Sequence, residues 1–156
     1  MAMEYEPLFE PGFYDVPYTH FGEQLRPLLV DSFTTQEYRK KMWGRLCKLL
    51  LELNSISFIT EVWLDGSFVC KKGEPKDIDM VVIFCNPGGY TTQEKLTFLQ
   101  LKNKSEMLIR YGCDMYFVSK EDSGEQEYWK NWYGKTKPVD DLQMGIPKGI
   151  VRIFFR

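Results

Sequence analysis

Two aspartates one residue apart, Asp77 and Asp79, stand at the entrance of an otherwise apolar run that ends at Phe84. If that run is a strand, side chains two apart project from the same face. Their Cα atoms then lie roughly 6.5–7 Å apart, from a rise of ~3.3 Å per residue. Two carboxylates on one face repel unless a cation sits between them or one is protonated. A hard divalent ion, Mg²⁺ or Mn²⁺, binds carboxylate oxygens together with substrate phosphates. Nine residues separate this pair from Gly66-Ser67 on its N-terminal side. Glycine lets a backbone approach a ligand closely, and exposed N–H groups in such a turn cradle phosphate. The intervening stretch carries Lys71, Lys72 and Lys76, candidates to neutralise a triphosphate. A phosphate cradle, basic loop residues and a metal pair are the parts of phosphoryl chemistry.

These residues need a sheet to hold them. A strand is expected over 59–65, stopped by Gly66-Ser67, and another over 78–84 whose apolar run implies cover on both faces. The loop 68–76 is short enough to make the two neighbours in a mixed sheet. The pattern Thr34 to Glu37 reads as a capping box opening a helix over about 35–53. Tyr38, Met42, Leu46, Leu49, Leu50 and Leu53 form its apolar face, and Arg39, Lys40, Lys41, Arg45 and Lys48 its solvated one. Asn86 to Gly89 reads as a turn. Thr91 and Glu94 open a second helix over about 91–111, with Leu96, Leu99, Met107, Leu108 and Tyr111 facing inward. A strand over 113–118, an aromatic helix over 125–133, a loop over 134–147 and a strand over 149–155 complete the order. Tyr128, Trp129, Trp132 and Tyr133 are expected to pack in the core, ahead of a base-stacking role. Asp65 reads as structural. Residues 1–33 are punctuated by proline and read as an irregular arm lying on the domain formed by 34–156, with a short helix near 19–26.

At 156 residues the chain is one domain's worth. Hydrophobic residues at 44% and charged residues at 27% are ordinary for a globular protein, and an aromatic content of 15% argues against disorder. The net charge of −2 gives no bulk electrostatic case for non-specific nucleic-acid binding. No run approaches the ~20 apolar residues that span a membrane, and the acidic start does not read as a signal peptide. The 4 cysteines form no CxxC pair and the only histidine is His20, which disfavours structural zinc and any histidine-based triad. Reduced thiols and a cytoplasmic location are expected.

The segment Leu64-Asp65-Gly66-Ser67, nine residues, then Asp77-Ile78-Asp79-Met80 resembles the signature of the nucleotidyltransferase superfamily with a DNA-polymerase-β-like core. That resemblance implies an α/β (α+β) fold, a mixed β-sheet flanked by helices. It implies a third carboxylate on a neighbouring strand, for which Asp114 is the candidate. It further implies a metal held by Asp77, Asp79 and Asp114, and phosphates held by Gly66 and Ser67. Transfer of NMP from an NTP to an acceptor hydroxyl on RNA, protein or another nucleotide would follow. Leu8-Phe9-Glu10-Pro11-Gly12, residues 63–69 and Tyr128 through Val151 look like a small bacterial and phage family of stand-alone nucleotidyltransferase-like proteins. The helical domain that often grips base and acceptor in larger members is missing. Minimal members often act in toxin–antitoxin or phage-defence pairs. The alternative is therefore a non-catalytic nucleotide- or partner-binding module, with a metal-dependent phosphohydrolase as a third reading.

Overall fold

Residues 6–85, 88–135 and 147–156 are described by a computed structural model. The expected turn at Asn86-Pro87 and most of the expected 134–147 loop lie outside them. The fold is α/β, a mixed sheet flanked by helices. Strands β1 (Gly12–Pro17), β2 (Ile59–Asp65), β3 (Ile78–Phe84), β4 (Cys113–Ser119) and β5 (Gly149–Phe154) lie in the order β1-β5-β2-β3-β4. β5 and β3 both run antiparallel to β2, while β1 lies parallel to β5 and β4 parallel to β3. The helices are α1 (Phe21–Arg26), α2 (Gln36–Asn54), α3 (Thr92–Leu101), α4 (Lys104–Tyr111) and α5 (Ser123–Tyr133).

Alternation along the strands gives the sheet two unlike faces. One carries Val62, Leu64, Met80, Val82, Met115 and Val151, packed against the Leu46, Leu49, Leu50 and Leu53 stripe of α2 and against Phe98 of α3 and Met107 of α4. The other carries Trp63, Val81, Ile83, Val118 and Ile150, covered by Tyr133 and Trp129 of α5. β3 is thus apolar on both faces beyond its opening aspartate, as its sequence run implies.

Four expectations change. The proline-rich start contributes β1 to the sheet edge rather than only lying on the domain, because Gly12 to Val16 has no internal proline and an edge strand tolerates one at either end. The helix expected over 91–111 is two helices, because the Asn103 side chain accepts from the Glu106 N–H and starts α4 afresh. That break re-aims the faces. Phe98, Leu101, Met107 and Tyr111 turn inward, while Leu96, Leu99 and Leu108 are exposed. The Thr34 capping box does not form. Thr35 is the N-cap without a side-chain cap, and its hydroxyl donates instead to the Gly73 carbonyl at 2.7 Å. Arg39, assigned to the solvated face of α2, is fully buried.

The Thr91–Glu94 capping box forms as expected. Glu94 also reaches the segment before β2, accepting from the Ser57 hydroxyl at 2.5 Å and the Ser57 N–H at 2.7 Å. The Ser57 hydroxyl and then its N–H hold the Glu94 carboxyl down to about 2, from an ordinary 4.5. A depressed carboxyl contributes stability that is present above its unfolded pKa and lost as pH falls toward the folded one. Thermal unfolding measured from pH 6 to pH 2 should show wild-type Tm falling across the window from 4.5 to 2. Glu94→Gln should start lower and fall less there; parallel curves would remove Glu94 from the acid sensitivity.

Candidate active site

β2 ends on Asp65, β3 opens with Ile78-Asp79, and β4 opens with Cys113-Asp114. The register places Asp65 opposite Asp79 and Asp79 opposite Asp114. Register partners on adjacent strands share a face. Three carboxylates therefore form one row across three strands, on the face covered by α5. Asp77 immediately precedes β3 and is half-buried.

Gly66 closes the row against β2. Its φ is +80°, and a Cβ placed there would lie 2.2 Å from Asp79 Oδ2. Only glycine accepts this backbone conformation at little cost while leaving room for the carboxylate. Gly66 to Val69 then make a single 3₁₀ turn, with Ser67 half-buried. The turn is anchored from behind. The Arg39 guanidinium donates to the carbonyls of Leu29, Phe68, Cys70 and Lys72 at 2.7–2.9 Å, stacked 3.5 Å over the Phe33 ring. No carboxylate pairs with it among the described residues, and burial lowers its pKa to about 10.

Two ammonium groups meet the row. Lys148 Nζ stands 2.6 Å from Asp65 Oδ1, with both side chains almost wholly buried. Burial nevertheless pushes the Asp65 carboxyl up to about 7, against the opposing pull of Lys148. Lys104 Nζ, at the start of α4, stands 3.1 Å from Asp114 Oδ1 and 3.7 Å from the Tyr116 ring centroid. Both contacts are ionic by distance. Neither oxygen receives an aligned hydrogen bond among the described residues. The Tyr133 hydroxyl, at the end of α5, is also buried without a partner among the described residues. Burial first, then the charges of Asp79 and Asp65, raise its pKa.

The residues singled out from sequence thus divide. Asp79, Asp114 and Gly66 are brought together, with Asp77 and Ser67 at the adjoining chain ends. Lys71 is 3.1 Å from Glu6, and Lys76 lines a groove with Tyr38, Arg45 and Tyr111 between α2 and α4. Lys72 gives its carbonyl to Arg39. The ammonium groups found at the row are Lys104 and Lys148, which sequence reasoning passed over. A lysine directly before the apolar strand 149–154 was the available signal for Lys148.

Hard carboxylate oxygens, two of them buried, suit Mg²⁺ by chemistry. As the side chains stand, no three His, Cys, Asp or Glu groups converge to hold an ion among the described residues. Lys148 engages Asp65 and Lys104 engages Asp114. Among the described residues no helix is long and apolar enough to cross a membrane.

Residues 1–154 match a family described as a family of unknown function, DUF6932. The chain belongs to DUF6932. No curated protein and no solved structure matches it.

Proposed function

We propose that this protein is a metal-dependent nucleotidyltransferase that transfers NMP from an NTP to an acceptor hydroxyl. The observation that carries the reading is the aspartate row across β2, β3 and β4, closed by a glycine whose missing Cβ makes room for Asp79. Asp77, Asp79 and Asp114 would hold Mg²⁺ or Mn²⁺. When bound, the ion supplies charge neutralisation at the attacking and leaving oxygens. Gly66 and Ser67 orient the β and γ phosphates. Asp114 accepts the proton of the acceptor hydroxyl, whose oxygen forms the new bond to the α-phosphorus as the bond to pyrophosphate breaks. Lys104 must leave Asp114 for this to occur, and its side chain is half-exposed. Four cysteines without a disulfide among the described residues support a cytoplasmic setting.

The decisive measurement is label transfer from α-³²P NTPs, with Mg²⁺ or Mn²⁺, to RNA, protein or nucleotide acceptors. Asp77→Asn/Asp79→Asn should fold and lose transfer by at least about a hundredfold, as loss of a metal clamp implies. Unchanged transfer would sink the assignment. Release of inorganic phosphate in place of pyrophosphate would select a phosphohydrolase. A second reading, a non-catalytic nucleotide- or partner-binding module, is favoured by the ammonium groups already engaging Asp65 and Asp114 of the row. It predicts no transfer from any NTP and a stable complex with a partner protein.

Gly66→Ala separates strain from chemistry. The positive φ should cost about 1–2 kcal/mol in urea denaturation. The new methyl would also push the Asp79 carboxylate aside, so transfer should fall as far as in Asp79→Asn. In the double variant the two losses of transfer should not add.

A further inference from the structure

α5 divides its four large aromatics. Trp129 and Tyr133 turn toward the sheet, whereas Tyr128 is 57% exposed and Trp132 66% exposed. The two exposed rings are one helical turn apart, which places them side by side on one face. This corrects the expectation that all four pack in the core. Tyr128 of the exposed pair also continues a ladder. The Tyr116 hydroxyl donates to Asp114 Oδ2 at 3.4 Å. The Tyr116 and Trp129 rings are 4.3 Å apart, and Trp129 meets Tyr128 edge to face at 5.2 Å. An unbroken run of rings thus leads from a carboxylate of the row to solvent.

Exposed tryptophan is costly apolar surface and an informative departure in a soluble fold. We propose that Tyr128 and Trp132 are the base-stacking site for the nucleotide whose phosphates lie at the aspartate row. The inference rests on the proposed transferase reading and adds to it where the base is held. A nucleobase is the occupant that fits, because it is planar, stacks on aromatic faces whatever its sequence, and is tethered by its own phosphates to the charged end of the ladder. α5 thereby supplies a base contact from within this domain. Only the ring faces are required, so phenylalanine should serve at either position.

The test compares Mg²⁺-dependent binding of each of the four NTPs with that of inorganic triphosphate, which lacks a base. Wild type should bind at least one NTP about tenfold or more tightly than inorganic triphosphate. Tyr128→Ala/Trp132→Ala should lower NTP affinity roughly 10- to 100-fold, as base stacking implies. It should leave inorganic triphosphate affinity unchanged, and Tyr128→Phe/Trp132→Phe should retain NTP affinity. If wild type binds inorganic triphosphate and the alanine variant keeps full NTP affinity, the stacking site is wrong and the phosphate site stands. If wild type binds neither ligand, the transferase reading falls, and the stacking site with it. Equal loss of both ligands in the alanine variant would also overturn the stacking site. So would a dimeric wild type that becomes monomeric in the variant with NTP affinity intact, which would make this face a self-association surface.

Discussion

Lys148→Met should remove about 3–5 kcal/mol of folding stability, the cost of leaving one partner of a buried ion pair uncompensated. Both Lys148 and Asp65 are almost fully enclosed, so no water can take over from the lost ammonium. The double variant Asp65→Asn/Lys148→Met should recover most of that loss, because replacing an entire buried pair removes two desolvation costs along with one attraction. The deficit should also depend on pH. Asp65 is already raised to about 7 from an ordinary 3.8, with Lys148 pulling against burial. A carboxyl whose folded pKa lies above its unfolded one loses stability as pH rises from the lower value through the higher. Without Lys148 that rise is larger, so the deficit in urea denaturation should be greater at pH 8 than at pH 5. Equal deficits at the two pH values would show that Lys148 acts through packing of its stem instead.

Arg39→Met should be comparably severe, at about 4 kcal/mol or more. A hydrogen bond to a charged group is worth about 1.5–3 kcal/mol, and Arg39 makes four to main-chain carbonyls. The sum overstates the effect, because the guanidinium is itself desolvated, as its lowered pKa shows. What remains after substitution are the carbonyls of Leu29, Phe68, Cys70 and Lys72, several of them enclosed and without their donor. Arg39→Lys should not rescue, because an ammonium on a flexible stem cannot span the planar fork that meets four carbonyls. The same variants should speed amide exchange in residues 66–72 relative to β3, since that turn is fastened from behind by this one side chain. Protection of 66–72 unchanged in a folded Arg39→Met would place the anchor elsewhere.

Much of the site was legible because strand periodicity is local. Asp79 opening an apolar run, and Asp114 opening Met115 to Val118, fixed both side chains relative to their own strands, and the parallel pairing set them side by side. Asp65 was read as structural, but the form of that role was hidden because it lies in its partners. It is opposite Asp79 across one strand pair and bonded to Lys148 from the far end of the chain, and neither relation leaves a trace in the residues beside it. Arg39 fell on the charged stripe of α2 by spacing alone. Its burial depends on Leu29 and on Phe68, Cys70 and Lys72 converging from two other segments. The break at Asn103 was visible as a good N-cap residue, but the apolar period across 96–111 was read as continuous through it. Tyr128 and Trp132 illustrate a different limit. Helical spacing identifies which rings share a face, and the packing of α5 against β4 decides which face is left to solvent.

The strand order has a consequence for how the molecule is made. β5, the last strand, lies between β1 and β2, so the sheet has a gap until residue 154 has been synthesised. β1 has no other strand to pair with and must wait, emerging from the ribosome more than 130 residues ahead of its partner Gly149. Pairings this distant in sequence are slow to close. Lys148 immediately precedes that final strand, so the same late event that seals the sheet delivers the cation to Asp65. Assembly of the aspartate row is thereby tied to synthesis of β5, and a nascent fragment ending before Lys148 carries Asp65 without the ammonium group that balances it.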